Sequence, residues 1–435
     1  MKASSLTTVV FRFVDRWLPI RRSLPVGLWS VKWRAYLYTL LNNFVFMRKS
    51  AIWGILIWMF VACESAQKEA DSLERIPINV DDVTEDASAF LEKIEIVPLE
   101  TNDSVLFDTP SIVFYDKGAD MYVLMSNMDV FTFSGDGKSI GSSVKKRGPG
   151  PEEYQLVVDM KFNHFLHGID LLSPYGTIYT YSPTFELLAR RAFKPEFPLS
   201  YMMPLDSCNY VFKYASLWVD QEVGFVNLQT GDIHLATYTG MISSGNGLHH
   251  PHFHRIGDDI YFIPQGVDYY IYRMDTLRKE VFPVMYLDFG AAEIKDNELP
   301  GRASGKRVDN DKDRMNVANE SAERRNFLNE STEYVVPMQK IFNGKYVYIC
   351  MRKGQEMWHY VYDRFKEKGY LLKNEKPLRM YPCFGLDGNA LLAVCQPVEL
   401  PLVVDRRFMS PEQVAMMEGL KEDDNPVILK YYLKQ

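Results

Sequence analysis

The side chains of this chain that can do chemistry gather in a few short segments. The densest is His249-His250-Pro251-His252-Phe253-His254. Imidazoles at alternate strand positions, here His250, His252 and His254, can share a transition metal or form a pH-sensitive, ligand-facing strand. No Cys, Asp or Glu lies inside the run to complete a metal shell and a proline interrupts it, so the expectation is an exposed strand available to a ligand, without metal. Asp309, Asp311 and Asp313, followed by Glu320, repeat the carboxylate spacing of a calcium loop. Arg314 stands where such a loop needs glycine for its sharp turn, so the acidic run reads instead as part of a solvated insertion.

The stretch Lys145-Lys146-Arg147-Gly148-Pro149-Gly150-Pro151-Glu152-Glu153-Tyr154 sets cations beside glycines and prolines. Its backbone N–H groups, with Lys146 and Arg147, can cradle an anion, and the same composition also makes a rigid connection between structural units. Trp218 and Trp358 can stack on sugar rings or fill a core. Cys383 and Cys395 flank a hairpin turn, where they can pair or remain buried thiols; Cys208 and Cys350 have no obvious partner. No Gly-x-Ser-x-Gly motif nominates a nucleophile, so no catalytic residue and no cofactor is assigned.

Cys63 belongs to a different kind of chemistry. Met47-Arg48-Lys49 is a short basic start, residues 51–61 are apolar over a length typical of signal peptides, and Ala62 supplies the small residue before Cys63. That order is a bacterial lipoprotein signal, with cleavage before Cys63 and acylation of that residue tethering the mature protein to a membrane. Residues 1–46 read as a doubtful extension before the true start, 47–62 as the signal peptide, and 63–88 as a polar tether.

The elements that must position the remaining residues are strands. Aromatics make up 14% of the chain, and they fall in short runs such as Tyr269-Tyr270-Ile271-Tyr272, which suit a pleated surface. Modules of about 40 residues repeat over 112–144, 157–193, 199–238, 248–289, 334–372 and 378–403, a period characteristic of propeller blades. Their turns include Asp116-Lys117-Gly118, Gly135-Asp136-Gly137, Gly257-Asp258-Asp259, Asn343-Gly344-Lys345 and Asp387-Gly388-Asn389. The expected fold is therefore all-β: a six-bladed β-propeller of four-stranded antiparallel blades over residues 89–435. The ring is expected to close by pairing of residues 94–99 with 427–433, which protects both strand edges. Residues 291–329, charged and with helical character over 320–328, read as a partly helical insertion between blades 4 and 5 that projects from one face.

Charge narrows the function. Residues 1–49 carry a net +8 against a chain total of −7, which leaves −15 for the remainder. So acidic a body excludes nucleic acid, which is held largely by Lys and Arg.

The segment Arg147-Gly148-Pro149-Gly150-Pro151-Glu152-Glu153-Tyr154 resembles the Arg-Gly-x-Gly-Pro-Gly-Glu-Tyr segment of the six-bladed β-propeller lipoproteins of Bacteroidota, with Glu152 in place of the last glycine. Val97-Pro98-Leu99-Glu100-Thr101, Leu287-Asp288-Phe289-Gly290 and Asp424-Asn425-Pro426-Val427 extend the likeness from about residue 75 to the C-terminus. The resemblance implies a cell-envelope, outer-membrane lipoprotein, facing the periplasm or the surface, that acts as a non-catalytic binding protein. Such proteins are often encoded beside nutrient-uptake systems, so the implied partners are an outer-membrane transporter or a neighbouring surface lipoprotein, and the implied ligand a glycan or peptide. A glycan lyase or hydrolase working at the channel face, and a purely structural scaffold, are the alternatives. They differ in whether acidic and His side chains converge in one deep pocket.

Overall fold

Short apolar strands that end in turn-forming residues must reverse every five to ten residues, and the computed structural model shows them doing so. It describes residues 73–435 apart from 103–104, 217, 220, 239–251, 265, 302–307, 309 and 374–378. Cys63, the signal peptide, the N-terminal extension, His249, His250 and Asp309 lie outside the described residues.

Blade 1 comprises Ile112–Asp116, Met121–Ser126, Asp129–Ser134 and Ser139–Ser142. Blade 2 comprises Asp159–Asn163, Gly168–Leu172, Thr177–Tyr181 and Leu187–Ala192. Blade 3 follows with Leu199–Pro204, Asn209–Tyr214, Glu222–Asn227 and Ile233–Thr237, and blade 4 with Phe253–Ile256, Asp259–Phe262, Tyr270–Asp275 and Glu280–Asp288. Blade 5 is Val335–Phe342, Tyr346–Lys353, Glu356–Asp363 and Lys368–Lys373. Each is an antiparallel meander whose first strand is innermost.

Blade 6 closes the ring as expected. Cys383–Asp387 pairs with Ala390–Cys395, Ala390–Cys395 with Val427–Leu433, and Val427–Leu433 with Leu91–Pro98 from the start of the domain. The register sets Ile96 opposite Leu429 and Val97 opposite Ile428. Gly137 of blade 1 packs against this closing strand in a left-handed conformation, φ 86°, where an added Cβ would run into the Pro98 carbonyl.

Residues 74–88, expected to belong to a polar tether, are instead part of the fold. Glu74–Pro77 is a strand that adds in parallel to the outer edge of blade 4, with Ile76 opposite Leu287. Ile76 and Ile78 are buried, and Thr84 N–H donates to the Leu371 carbonyl of blade 5. The alternation Arg75-Ile76-Pro77-Ile78 supplies one apolar face, and the open edge of blade 4 supplies the hydrogen bonds.

The insertion between blades 4 and 5 holds a helix over Asp311–Glu330, capped by the Asn310 side chain accepting from Asp313 N–H. It is longer than residues 320–328, and it packs onto the fold rather than projecting from it. Arg324 and Leu328 are buried, Arg314 lies over the Trp218 ring at 5.0 Å, and Val308 N–H donates to the Trp218 carbonyl. Asp311 and Asp313 sit in its first turn, where the exposed N–H groups favour acids, so the run serves a helix start and not a calcium loop.

Cys208, Cys350, Cys383 and Cys395 are free thiols. In the sheet Cys383 stands opposite Ala393 and Cys395 opposite Val427, so the two do not face each other across the hairpin. Burial pushes the Cys383 thiol up to about 12, which makes it an inert core group.

His359, buried in blade 5 with Nδ1 2.8 Å from the Tyr348 hydroxyl, is held neutral because burial lowers its pKa to about 3. Between pH 6.5 and 3 the unfolded chain takes up a proton that the folded chain refuses. This contribution is therefore fully present above pH 6.5 and is lost as the pH falls, by at most about 1.4 kcal/mol per unit, or about 2 kcal/mol by pH 5. Urea unfolding at pH 7 and pH 5 checks it: His359→Phe is expected to lose that part of the pH difference, and an unchanged difference would refute the assignment.

Candidate functional site

In each meander the first and third turns emerge at one face, and the second turns and blade-to-blade crossings at the other. At the first face, here the hairpin face, the six innermost strands end around the central channel and leave a bowl of about 420 Å³. This falls within the roughly 300–1,000 Å³ typical of small-molecule sites. Every blade contributes to its wall: Phe114 and Asp116 from blade 1, Lys161 and Phe162 from blade 2, Pro204 from blade 3, Arg255 from blade 4, Phe342 from blade 5 and Phe384 from blade 6.

The polar groups of the bowl tie neighbouring blades together. His164 Nε2 lies 3.0 Å from Asp116 Oδ2, while Asp116 Oδ1 accepts from Ala119 N–H, fixing the carboxylate in its turn. Lys117 Nζ lies 2.8 Å from Asp387 Oδ1, joining blades 1 and 6. Asn343 donates to the Gly388 carbonyl across blades 5 and 6, and Arg255 to the Pro204 carbonyl across blades 4 and 3. Lys161 Nζ sits 3.9 Å from Asp159 Oδ1, and Asp159 Oδ2 accepts from Met202 N–H of blade 3. Burial pushes Asp159 up and Lys161 down, so both lean toward their neutral forms. Between these groups the wall is aromatic, and Phe165 stands at the rim with 44% of its surface exposed.

The residues singled out in the sequence are not brought together. Lys146 faces Glu152 at 3.7 Å, and Arg147 donates to the Asn127 carbonyl and lies 3.5 Å from Asp129. Gly150 N–H donates to Glu153, so the chain's own carboxylate fills the cradle expected to hold an anion. Trp218 lies in the second turn of blade 3, stacked on Phe197 and beneath Arg314. Trp358 is buried in blade 5. His252 is buried and stacks on Tyr201 with ring centroids 3.8 Å apart. Of the described candidates Lys146, Arg147, Trp218, His252 and His254, only His254 lines the bowl. Asp116, Lys161, His164, Arg255 and Asp387 were missed. Their one signal was position: Asp116, His164 and Asp387 close the innermost strand or open the first turn of a module, and Lys161 and Arg255 lie within such a strand.

Among the described residues, no group of three or more His, Cys, Asp and Glu is placed to hold a metal ion, and no helix is long and apolar enough to cross a membrane. The described lining of the bowl contains no Ser, Thr or Cys.

A closed ring of six four-stranded blades around a channel, with one mouth shaped into an aromatic and charged bowl, defines a six-bladed β-propeller with a ligand-sized cavity on its axis. The chain belongs to the DUF4934 family, a domain of unknown function, whose model matches residues 73–432. No curated protein matches it. Among solved structures it is similar to an exported protein of Bacteroides fragilis, at 17% identity over 83% of this chain and 100% of that one, with a TM-score of 0.63. The β-propeller domain of Cps50 (Swd1) from Myceliophteria thermophila is more distant, at 8% identity over 77% of this chain and 99% of that one, with a TM-score of 0.39. Likeness at these identities establishes the fold alone.

Proposed function

We propose that this protein is a lipid-anchored propeller of the cell envelope that binds a glycan or peptide ligand in the bowl at its hairpin face. The observation that carries this reading is the bowl itself, where all six blades converge aromatic walls and a few oriented polar groups on one ligand-sized space. Anchoring rests on the signal ending at Cys63, and an envelope location agrees with the exported Bacteroides fragilis protein of the same fold. In this role the protein presents its ligand to an outer-membrane transporter or a neighbouring surface lipoprotein.

Two measurements test it. Crosslinking in intact cells, followed by capture of the lipidated protein, is expected to recover a membrane transporter or surface lipoprotein; a clean preparation would count against the uptake role. Titration of envelope glycans and peptides is expected to find a ligand whose affinity falls about tenfold in Phe165→Ala, the size expected for losing one buried aromatic contact. Because Phe165 is half exposed, its removal should leave the melting temperature unchanged. A ligand indifferent to Phe165 would place the site elsewhere.

A second reading follows from the Asp116–His164 pair, since a carboxylate that orients an imidazole at the edge of a pocket is also the arrangement of a general base. Turnover of a bound glycan that is lost in His164→Gln with binding retained would favour it over pure binding.

A further inference from the structure

Resting on the bowl as the ligand site, the geometry points to a ligand held through a carboxylate, and we propose that this ligand is a uronate residue of an acidic oligosaccharide. The two carboxylates at the mouth are each already matched, Asp116 by His164 at 3.0 Å and Asp387 by Lys117 at 2.8 Å. Two further basic side chains enter the bowl from either side of Pro204, Lys161 from blade 2 and Arg255 from blade 4. Arg255 donates to the neutral Pro204 carbonyl and lies over the Phe165 ring at 5.8 Å, which holds the guanidinium plane at the rim with further donors to offer. Asp258 in the adjoining turn is the carboxylate that acts on it. Lys161 stands 3.9 Å from Asp159, beyond hydrogen-bond distance, so its amine also has donors for a ligand.

The rest of the molecule makes this pair stand out. Beyond residue 49 the chain carries −15, so an anion finds its favourable contacts at these local cations and little encouragement elsewhere. Burial pushes Lys161 below its ordinary value, and an incoming carboxylate restores the charged form. An inorganic anion would satisfy the cations but leave Phe114, Phe162, Phe165 and Phe342 facing water. A sugar acid covers both, its carboxylate on Arg255 and Lys161, its ring C–H faces on the aromatic wall, and its hydroxyls toward Asn343 and the Lys117–Asp387 pair.

The test is titration of the full-length protein with trigalacturonate and, in parallel, with its methyl ester, which keeps the rings and removes the charge. The acid is expected to bind at least about tenfold more tightly, the size of a charge-assisted hydrogen bond. Arg255→Gln is expected to bring the acid-to-ester ratio near one, and Arg255→Lys to retain part of the preference. Equal binding of acid and ester, with both weakened by Phe165→Ala, would overturn the carboxylate assignment and leave the bowl as the ligand site. An acid preference that survives Arg255→Gln would overturn the role of this cation pair. Failure of both compounds to bind would overturn the uronate assignment, and the bowl would then stand or fall on the wider glycan and peptide titration.

Discussion

Removal of residues 427–435 is expected to abolish the cooperative unfolding transition of the propeller. Val427–Leu433 is an inner strand of blade 6, hydrogen-bonded to Leu91–Pro98 on one side and to Ala390–Cys395 on the other. Val427, Ile428, Leu429, Tyr431 and Leu433 are all buried. At about 1.5–3 kcal/mol for each large apolar side chain returned to water, their loss alone matches or exceeds the roughly 5–15 kcal/mol net stability of a folded domain. It would also free two strand edges inside the ring. Thermal and urea unfolding of the truncated chain measure it: the expected result is a flat or aggregating trace, and a cooperative transition near that of the intact protein would contradict ring closure by the two ends.

The second large effect is expected from Asp170→Ala, at about 3–5 kcal/mol of destabilisation. Asp170 is fully buried between blades 2 and 3. It accepts from Thr180 Oγ1 at 2.5 Å, Tyr210 OH at 2.6 Å and Asn163 Nδ2 at 2.8 Å, with Arg191 at 3.3 Å. Burial pushes its carboxyl above the ordinary range despite these partners. Taking the acceptor away leaves the buried donors of Asn163, Thr180 and Tyr210 without it and the part-buried Arg191 guanidinium without its carboxylate, so the cost comes less from the lost bonds than from the partners left behind. Asp170→Asn, which keeps an acceptor oxygen, should lose less. Urea midpoints for the two variants separate the cases, and equal small losses would mean that the network is not a unit.

The blades were legible because they depend on local chemistry. Turns such as Gly135-Asp136-Gly137 and Asp387-Gly388-Asn389 mark chain reversals wherever they occur, and the unbroken apolar run Val427-Ile428-Leu429 announces a strand covered on both faces. The closing pair could be found by asking which strands lacked a partner. Glu74–Pro77 escaped notice because it is four residues long and borrows its stability from the blade edge it joins. The helix over Asp311–Glu330 was found only in its second half, since its first turn is acidic and its apolar contacts are few and tertiary.

The site was hidden for a different reason. The His run is dense along the chain, whereas the bowl takes one or a few residues from each module, and the ion pair of Lys117 and Asp387 spans 270 positions. A propeller disperses its channel mouth evenly along the sequence, so the useful signal is a shared place in the repeat. Lys146, Arg147 and Trp218 stood out through composition, and the structure spends them on contacts at the crossover face.

Hydrogen–deuterium exchange, with and without a ligand found by the glycan and peptide titration, tests ligand binding at the hairpin face most directly. Slower exchange in the first turns of the modules, around residues 116–119, 164–166, 255–258, 342–345 and 385–389, is the expected result. Protection confined to the opposite face, around Lys146, Arg147 and Trp218, would contradict it.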